Sequence, residues 1–268
     1  MADRVALITG ATNGVGRVVA ERLGGEGWHV LVHGRDRSRG QEVVGAIQAR
    51  DGSAQFYAAD LSSLSAVRQL AEEVMKDHPG VHLLINNAGV GFGRPGAARE
   101  LSKDGFELRF AVNYLAAFLL THRLIPALLE GAPSRVVNVA SLGQKELDFD
   151  DIQSARGYSG VDAYRRSKLA LIMFTFDLAA ELQKLGVSVN ALHPATLMDT
   201  FMVQEAQWQP MSTVEEGADA IMNLAVGDLQ GRTGEYFDQR RPARALRQAY
   251  DPQARERLQR IANELTAR

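Results

Sequence analysis

Short apolar runs rich in β-branched residues alternate with longer amphipathic stretches from one end of the chain to the other. The runs predict strands at Val5–Thr9, His29–His33, Ala54–Ala58, Val81–Asn86, Arg135–Ala140, Val187–Leu192 and Gly234–Phe237. Between them, helical periodicity predicts helices near 14–25, 38–50, 63–77, 104–130, 161–185 and 214–226. Strands alternating with helices of this length imply βαβ units and a parallel sheet. Right-handed crossovers then give a doubly wound α/β fold of about seven strands with helices on both faces. No linker, repeat or low-complexity tract divides the chain, so residues 1–268 are expected to form one domain. Two long connections, 142–160 and 194–213, stand out, because long loops at the carboxyl ends of parallel strands usually build the active site. The stretch 194–213 reads as a substrate lid and 240–268 as a C-terminal extension.

Composition narrows the function classes. A hydrophobic content of 46% is ample for a buried core, and a net charge of −2 argues against a nucleic-acid surface. The chain has no cysteine, which excludes disulfides and thiolate chemistry, and its six histidines form no recognisable metal set. Neither the pair His29 and His33 nor the pair His78 and His82 has a third ligand nearby, so all read as structural, with no metal expected. Apolar periodicity begins by Val5, leaving no room for a leader peptide, and no run of about 18 apolar residues is present. The expectation is a soluble cytoplasmic protein without a membrane or nucleic-acid partner.

The first predicted strand leads into Gly10-Ala11-Thr12-Asn13-Gly14-Val15-Gly16 and then a helix. Glycine lets a backbone turn sharply and approach a pyrophosphate, and the helix N-terminus supplies free N–H groups and a positive dipole. A tight βα loop with no ligand is the alternative. At the end of the second strand, NAD enzymes place an acid for the ribose 2′-OH, whereas a nearby arginine accommodates a 2′-phosphate. Here Gly34 holds that position and Arg35 follows, with Arg17 adding positive charge. This favours NADP(H) over NAD(H), although Asp36 lies close enough to serve a bare ribose.

Tyr164-Arg165-Arg166-Ser167-Lys168 places a phenol and an ammonium one turn apart on a helix face. A neighbouring positive charge should lower the phenol pKa from its usual value of about 10, so that it can exchange a proton with a substrate oxygen. A surface tyrosine beside a solvated lysine is the other reading of the pair taken alone.

Together these segments resemble the classical short-chain dehydrogenase/reductases over residues 4 to 240. The motifs come in family order: Thr9-Gly10-x-x-x-Gly14-x-Gly16, Asp60-Leu61, Asn86-Asn87-Ala88-Gly89, Asn113, Ser141, Tyr164-x-x-x-Lys168 and His193-Pro194. The resemblance implies a single-domain Rossmann-type fold and a catalytic set of Asn113, Ser141, Tyr164 and Lys168. In it Asn113 holds a water in a proton relay, Ser141 positions the substrate carbonyl and Tyr164 is the general acid/base. Lys168 binds the nicotinamide ribose and lowers the tyrosine pKa. The cofactor set it implies comprises Gly10, Thr12, Asn13, Gly14, Val15, Gly16, Arg35, Asp60, Leu61, Asn87, Ala88, Gly89, Tyr164, Lys168, Pro194, Leu197 and Thr200. Asp60 resembles the residue that binds the adenine amino group. Ala195 stands where the family has glycine, which loosens the assignment of Leu197 and Thr200 to the carboxamide contact. The segment from Phe149 through Tyr158-Ser159 to Leu169-Ala170 is similar to retinol-dehydrogenase-like reductases, without the membrane anchor that many of them carry. It therefore implies the branch rather than retinol as substrate.

The expected reaction is hydride transfer between NADP(H) and a carbonyl or alcohol of a small, apolar molecule. Leu197, Met198, Phe201, Met202, Val203, Trp208 and Met211 suggest an adaptable apolar pocket, or else pack the lid onto the body. Two other readings are a non-catalytic NADP-binding scaffold and a nucleotide-sugar epimerase. The intact Asn113, Ser141, Tyr164 and Lys168 weigh against the first. The absence of a sizeable domain after residue 240 weighs against the second. The predicted helix over 168–182 is apolar nearly all round, so a partner subunit, in a homodimer or homotetramer, or the C-terminal segment should cover its outer side.

Overall fold

The computed structural model describes residues 4–267. Strand β1 (Val5–Ile8), helix α1 (Gly14–Gly25), β2 (His29–Gly34), α2 (Arg37–Gln48), β3 (Ser53–Ala58) and α3 (Leu64–Asp77) form the first half. Strand β4 (Leu83–Asn86) leads to the short helix α4 (Leu108–Phe110), a π turn at Ala111–Leu115 and helix α5 (Ala116–Glu130). The second half runs through β5 (Ser134–Val139), α6 (Gly160–Leu182), β6 (Val187–His193), α7 (Phe201–Glu205) and α8 (Val214–Val226). It ends with β7 (Tyr236–Asp238), β8 (Arg241–Ala243) and α9 (Pro252–Thr266).

All eight strands lie in one sheet of order β3-β2-β1-β4-β5-β6-β7-β8. Pairing is parallel except between β7 and β8. Successive strand residues face opposite sides. Leu7, Leu31, Leu84, Val136 and Val189 meet α3, α5 and α6 in one core, while Ala6, Ile8, Val30, Val32 and Ile85 meet α1, α2 and α8 in the other. Burial on both faces is why the central strands read as continuous apolar runs. The chain reverses its direction of winding between β1 and β4, and the crevice at the carboxyl ends of these strands is the ligand-binding point of such sheets.

Three features go beyond the predicted elements. The sheet has an eighth strand, β8, which the sequence hides because it is short, largely exposed and interrupted by Pro242. The C-terminal extension carries the amphipathic helix α9, started by the Asp251 cap and Pro252. It packs against α6, where Arg255 pairs with Asp177 at 3.2 Å, and Leu258 and Ala262 enter the core. Finally, Leu108–Glu130 is long and apolar enough by composition to cross a membrane, although polar residues break it into shorter apolar runs. Most of it is buried within the fold, as a core helix.

Candidate active site

The glycine loop lies flat against the turn after β4. Gly10 and Gly14 adopt φ of +66° and +54°, in the left-handed region that favours glycine. A Cβ on Gly10 would stand 2.9 Å from the Ala88 Cα, and one on Gly16 would strike Asn87 Nδ2 and the Gly10 carbonyl. Asn87 Nδ2 donates to Thr9 O (2.9 Å) and Gly10 O (3.1 Å), while the Asn87 and Ala88 N–H groups both donate to Thr9 Oγ1. Asn13 caps α1 by accepting from Gly14 N at 2.8 Å, and Val15 is buried beneath. No acidic residue occupies the first turn of α1. Bare backbone at an uncompensated helix N-terminus fits the pyrophosphate of a dinucleotide.

His33 completes this loop, a role its sequence did not signal. Its Nδ1 accepts from Gly10 N and its Nε2 donates to Ala59 O, both at 3.2 Å. Burial pushes its pKa down to about 4, so the ring stays neutral.

At the end of β2, a Cβ on Gly34 would collide with the Thr12 side chain. Thr12 therefore excludes a carboxylate from the position where NAD enzymes carry one. Arg35 is exposed. Asp36 caps α2 through Arg39 N (3.2 Å) and faces the Arg39 side chain at 3.6 Å. Arg17, expected to add positive charge, bonds Glu21 at 2.8 Å. Asp60 accepts from Ser62 N and pairs with Lys103 at 3.0 Å. Burial alone would raise its carboxyl, but these partners hold it below the ordinary range. Leu61 is a core residue beside it.

Asn113 sits in the π turn, a helix irregularity frequent at functional sites. Its Oδ1 accepts from Val90 N (2.7 Å), and its Nδ2 donates to Val90 O (3.0 Å) and Ser167 Oγ (2.9 Å). Ser167 Oγ in turn donates to Tyr164 O at 2.7 Å. Gly89 lies just beyond, where a Cβ would stand 3.3 Å from Asn113 Oδ1 and 3.6 Å from Lys168 Nζ.

Ser141, Tyr164 and Lys168 lie beside one another. The Ser141 side chain lies beside the Tyr164 phenol, and its Oγ accepts from Gly143 N at 3.0 Å. Tyr236 Oη (3.0 Å) and Gln144 Nε2 (3.1 Å) both donate to the Ser141 carbonyl, two supports the motifs did not reveal. The electrostatics correct one expectation. The Tyr164 pKa is not lowered: burial pushes it up to about 12, although the neighbouring Ser141 acts to lower it. Burial also pushes the Lys168 ammonium down to about 8, and its Nζ donates to Val139 O at 2.7 Å. Desolvation outweighs a charge 5.6 Å from the ring centre.

The 194–213 segment folds over this centre. Pro194 is buried, Leu197 takes a left-handed φ of +46°, and the Thr200 methyl lies 3.4 Å from where a Cβ on Gly14 would stand. Met211 N donates to Leu197 O, and Met198 bridges Ser212, closing the base of the segment. Val203 is buried, whereas Phe201 and Met211 remain exposed. Trp208 meets Phe92 with ring centroids 4.4 Å apart, and Phe92 meets Tyr164 edge-on at the same distance. Phe92 lies in a loop whose sequence gave no sign of this placement.

The family model for short chain dehydrogenases matches residues 4–210. The chain is 35% identical to retinol dehydrogenase 14 of Mus musculus over 285 residues, covering 96% of this chain and 84% of that protein. It is 39% identical to polyprenol dehydrogenase of the same species over 277 residues, covering 95% and 81%. A metagenomic short-chain oxidoreductase solved in complex with NADP superposes with a TM-score of 0.69 at 26% identity, covering 90% of this chain and 98% of that one. The chain therefore belongs to the short chain dehydrogenase family, in its retinol-dehydrogenase-like branch of NAD(P)-dependent enzymes acting on alcohol and carbonyl groups.

Proposed function

We propose that this protein interconverts a carbonyl and an alcohol on an apolar small molecule, using NADP(H), with Tyr164 as the general acid/base. The observation that carries the reading is the buried Tyr164 phenol with the Ser141 side chain and Lys168 beside it. When bound, the nicotinamide supplies the hydride. The glycine loop with Thr12 and Asn13 would hold the pyrophosphate, and Asp60 with the Asn87–Gly89 turn would flank the adenosine. Lys168, Pro194, Leu197 and Thr200 would hold the nicotinamide half.

Ser141 and Tyr164 donate to the substrate oxygen, where negative charge develops during reduction. A phenol with a pKa near 12 holds its proton at neutral pH. It can still give that proton to an alkoxide, which is more basic. Asn113 lies one hydrogen bond from Ser167, which bonds the Tyr164 carbonyl, and by the family resemblance it would anchor the water path that returns the proton.

An apolar substrate is supported by Phe92 against Tyr164, with Trp208 on Phe92 and Met202 by Gly91, and with 194–213 acting as a lid. The names of the retinol and polyprenol relatives point to the same chemistry. NADP(H) is supported by Gly34 and Arg35, and by the NADP held in a structural relative. The test is a screen of apolar aldehydes, ketones and alcohols, following NADPH and NADH absorbance in parallel. Turnover with NADPH is expected. Tight NADPH binding without turnover of any carbonyl or alcohol would favour a non-catalytic scaffold.

A further inference from the structure

We propose that Arg109 is a positioning residue for this reaction: it sets the Phe92 wall against Tyr164 and, through Phe92, the seat of Trp208. The proposal rests on the reading of Tyr164 as the proton donor.

Arg109 and Glu107 are each only 1% exposed. Burying a charged pair is costly, and such a pair persists only when its donors and acceptors are matched. Here the match is made by a third residue. Arg109 Nη1 donates to Tyr158 Oη at 2.7 Å, and Tyr158 Oη donates to Glu107 Oε1 at 3.0 Å. The direct Arg109–Glu107 contact is looser, at 3.5 Å. Burial first, and then the Glu107 charge, push the Tyr158 phenol up, so it keeps the proton it donates.

The guanidinium also reaches the loop that carries Phe92. Its Nε donates to Gly91 O at 2.7 Å. Gly93 has φ +76°, and a Cβ there would stand 2.6 Å from Nη2. A Cβ on Gly160, the first residue of α6, would strike the Phe92 carbonyl. One planar fork thus spaces the 91–93 loop against Tyr158, two residues before the helix that presents Tyr164. Lysine cannot reproduce that geometry, because its single ammonium lacks the fixed angle between donors. Any shift of Gly91 moves Phe92, whose ring touches both Tyr164 and Trp208.

The chain has two tryptophans, so Trp28→Phe leaves Trp208 as the only reporter. Arg109→Lys and the milder Tyr158→Phe would be made in that background, with thermal midpoint, Trp208 emission, acrylamide quenching, kcat, KM and NADPH affinity measured. Both variants should stay folded, shift the emission of Trp208 to the red and make it easier to quench. NADPH affinity should hold while kcat falls by up to about 10²-fold, the cost of a misplacement of roughly 1 Å. A lower midpoint with unchanged Trp208 emission and quenching would reduce Arg109 to a structural role and overturn the proposal. An altered Trp208 signal with unchanged kcat would overturn it too, since the wall would have no bearing on Tyr164. The fluorescence arm needs no turnover, so failure of the positioning role is distinguishable from failure of the proton-donor reading.

Discussion

Lys168 stands with its Nζ 5.6 Å from the centre of the Tyr164 ring, yet gives its short hydrogen bond to the Val139 carbonyl. Both side chains are buried, and burial moves each toward its neutral form: the ammonium down to about 8, the phenol up to about 12. A buried ammonium with one carbonyl partner works against folding. Its retention beside the phenol supports the proposed catalytic role.

Lys168→Met should therefore lose turnover and weaken cofactor binding, yet gain stability at neutral pH. The folded pKa lies below the unfolded value of 10.5, so between about 8 and 10.5 the unfolded chain holds a proton the folded chain has released. Wild-type stability rises through that window, and the penalty is complete below it. The penalty is roughly 3 kcal/mol, at about 1.4 kcal/mol per pKa unit. Loss of the Val139 hydrogen bond offsets about 1 kcal/mol of the gain. Thermal unfolding at pH 7 and pH 10 should show the variant ahead at pH 7, with the difference shrinking at pH 10. A variant less stable at pH 7 would contradict the buried ammonium.

Tyr164→Phe removes the hydroxyl and leaves the ring against Phe92. NADPH binding should stay near the wild-type value while turnover falls by roughly 10²–10⁴-fold, the usual scale of general acid–base catalysis. Titration of NADPH fluorescence together with steady-state rates checks both halves. Wild-type turnover in the variant would assign the proton transfer elsewhere.

Much of this architecture is legible in the residues alone, for a physical reason. Buried parallel strands need continuous apolar runs, and a dinucleotide crevice needs glycines at one end of the sheet, so both leave local marks. Gly10, Gly16 and Asn87 meet one another, and Gly89 stands against Asn113 and Lys168. What stays hidden depends on contacts between distant segments. Phe92 and Trp208 lie more than a hundred residues apart, and their stacking over Tyr164 follows from loop paths rather than periodicity. The direction of the Tyr164 shift is hidden from the sequence, because spacing reports a neighbouring charge but not the depth of burial. The tie from His33 to Gly10 spans two strands, and a histidine within an apolar run does not announce it.

That tie makes the glycine loop sensitive to acid. The folded pKa of His33, about 4, lies below its unfolded value of 6.5. As the pH falls, the unfolded chain binds the proton first, so stability is lost from about pH 6.5 down through 4. The loss between pH 7 and pH 5 is about 2 kcal/mol. Denaturant unfolding of wild type and His33→Gln at both values isolates it: the wild type should lose this much more than the variant. Equal losses would place the acid sensitivity in other groups.

The proposed preference for NADP(H) rests on Thr12, Gly34 and Arg35. The Thr12 side chain fills the space where a Cβ at Gly34 would stand. Gly34→Asp alone should therefore destabilise the loop without creating an NAD enzyme, and Thr12→Gly should be needed beside it. Arg35 is exposed, and a charge-assisted contact to a 2′-phosphate contributes about 1.5–3 kcal/mol when well formed, roughly ten- to a hundredfold in preference. Part of that should fade at high salt. Asp36 is occupied as the α2 cap and faces Arg39, so it does not quench Arg35 in this arrangement. Asp36→Ala should accordingly lower stability by about 1 kcal/mol and leave the preference intact. The measurement is the ratio of kcat/KM with NADPH to that with NADH. It should exceed one in the wild type and collapse in Arg35→Ala, with NADH use little changed. A wild type that prefers NADH would overturn the assignment and turn Asp36 from a helix cap into the ribose-binding acid.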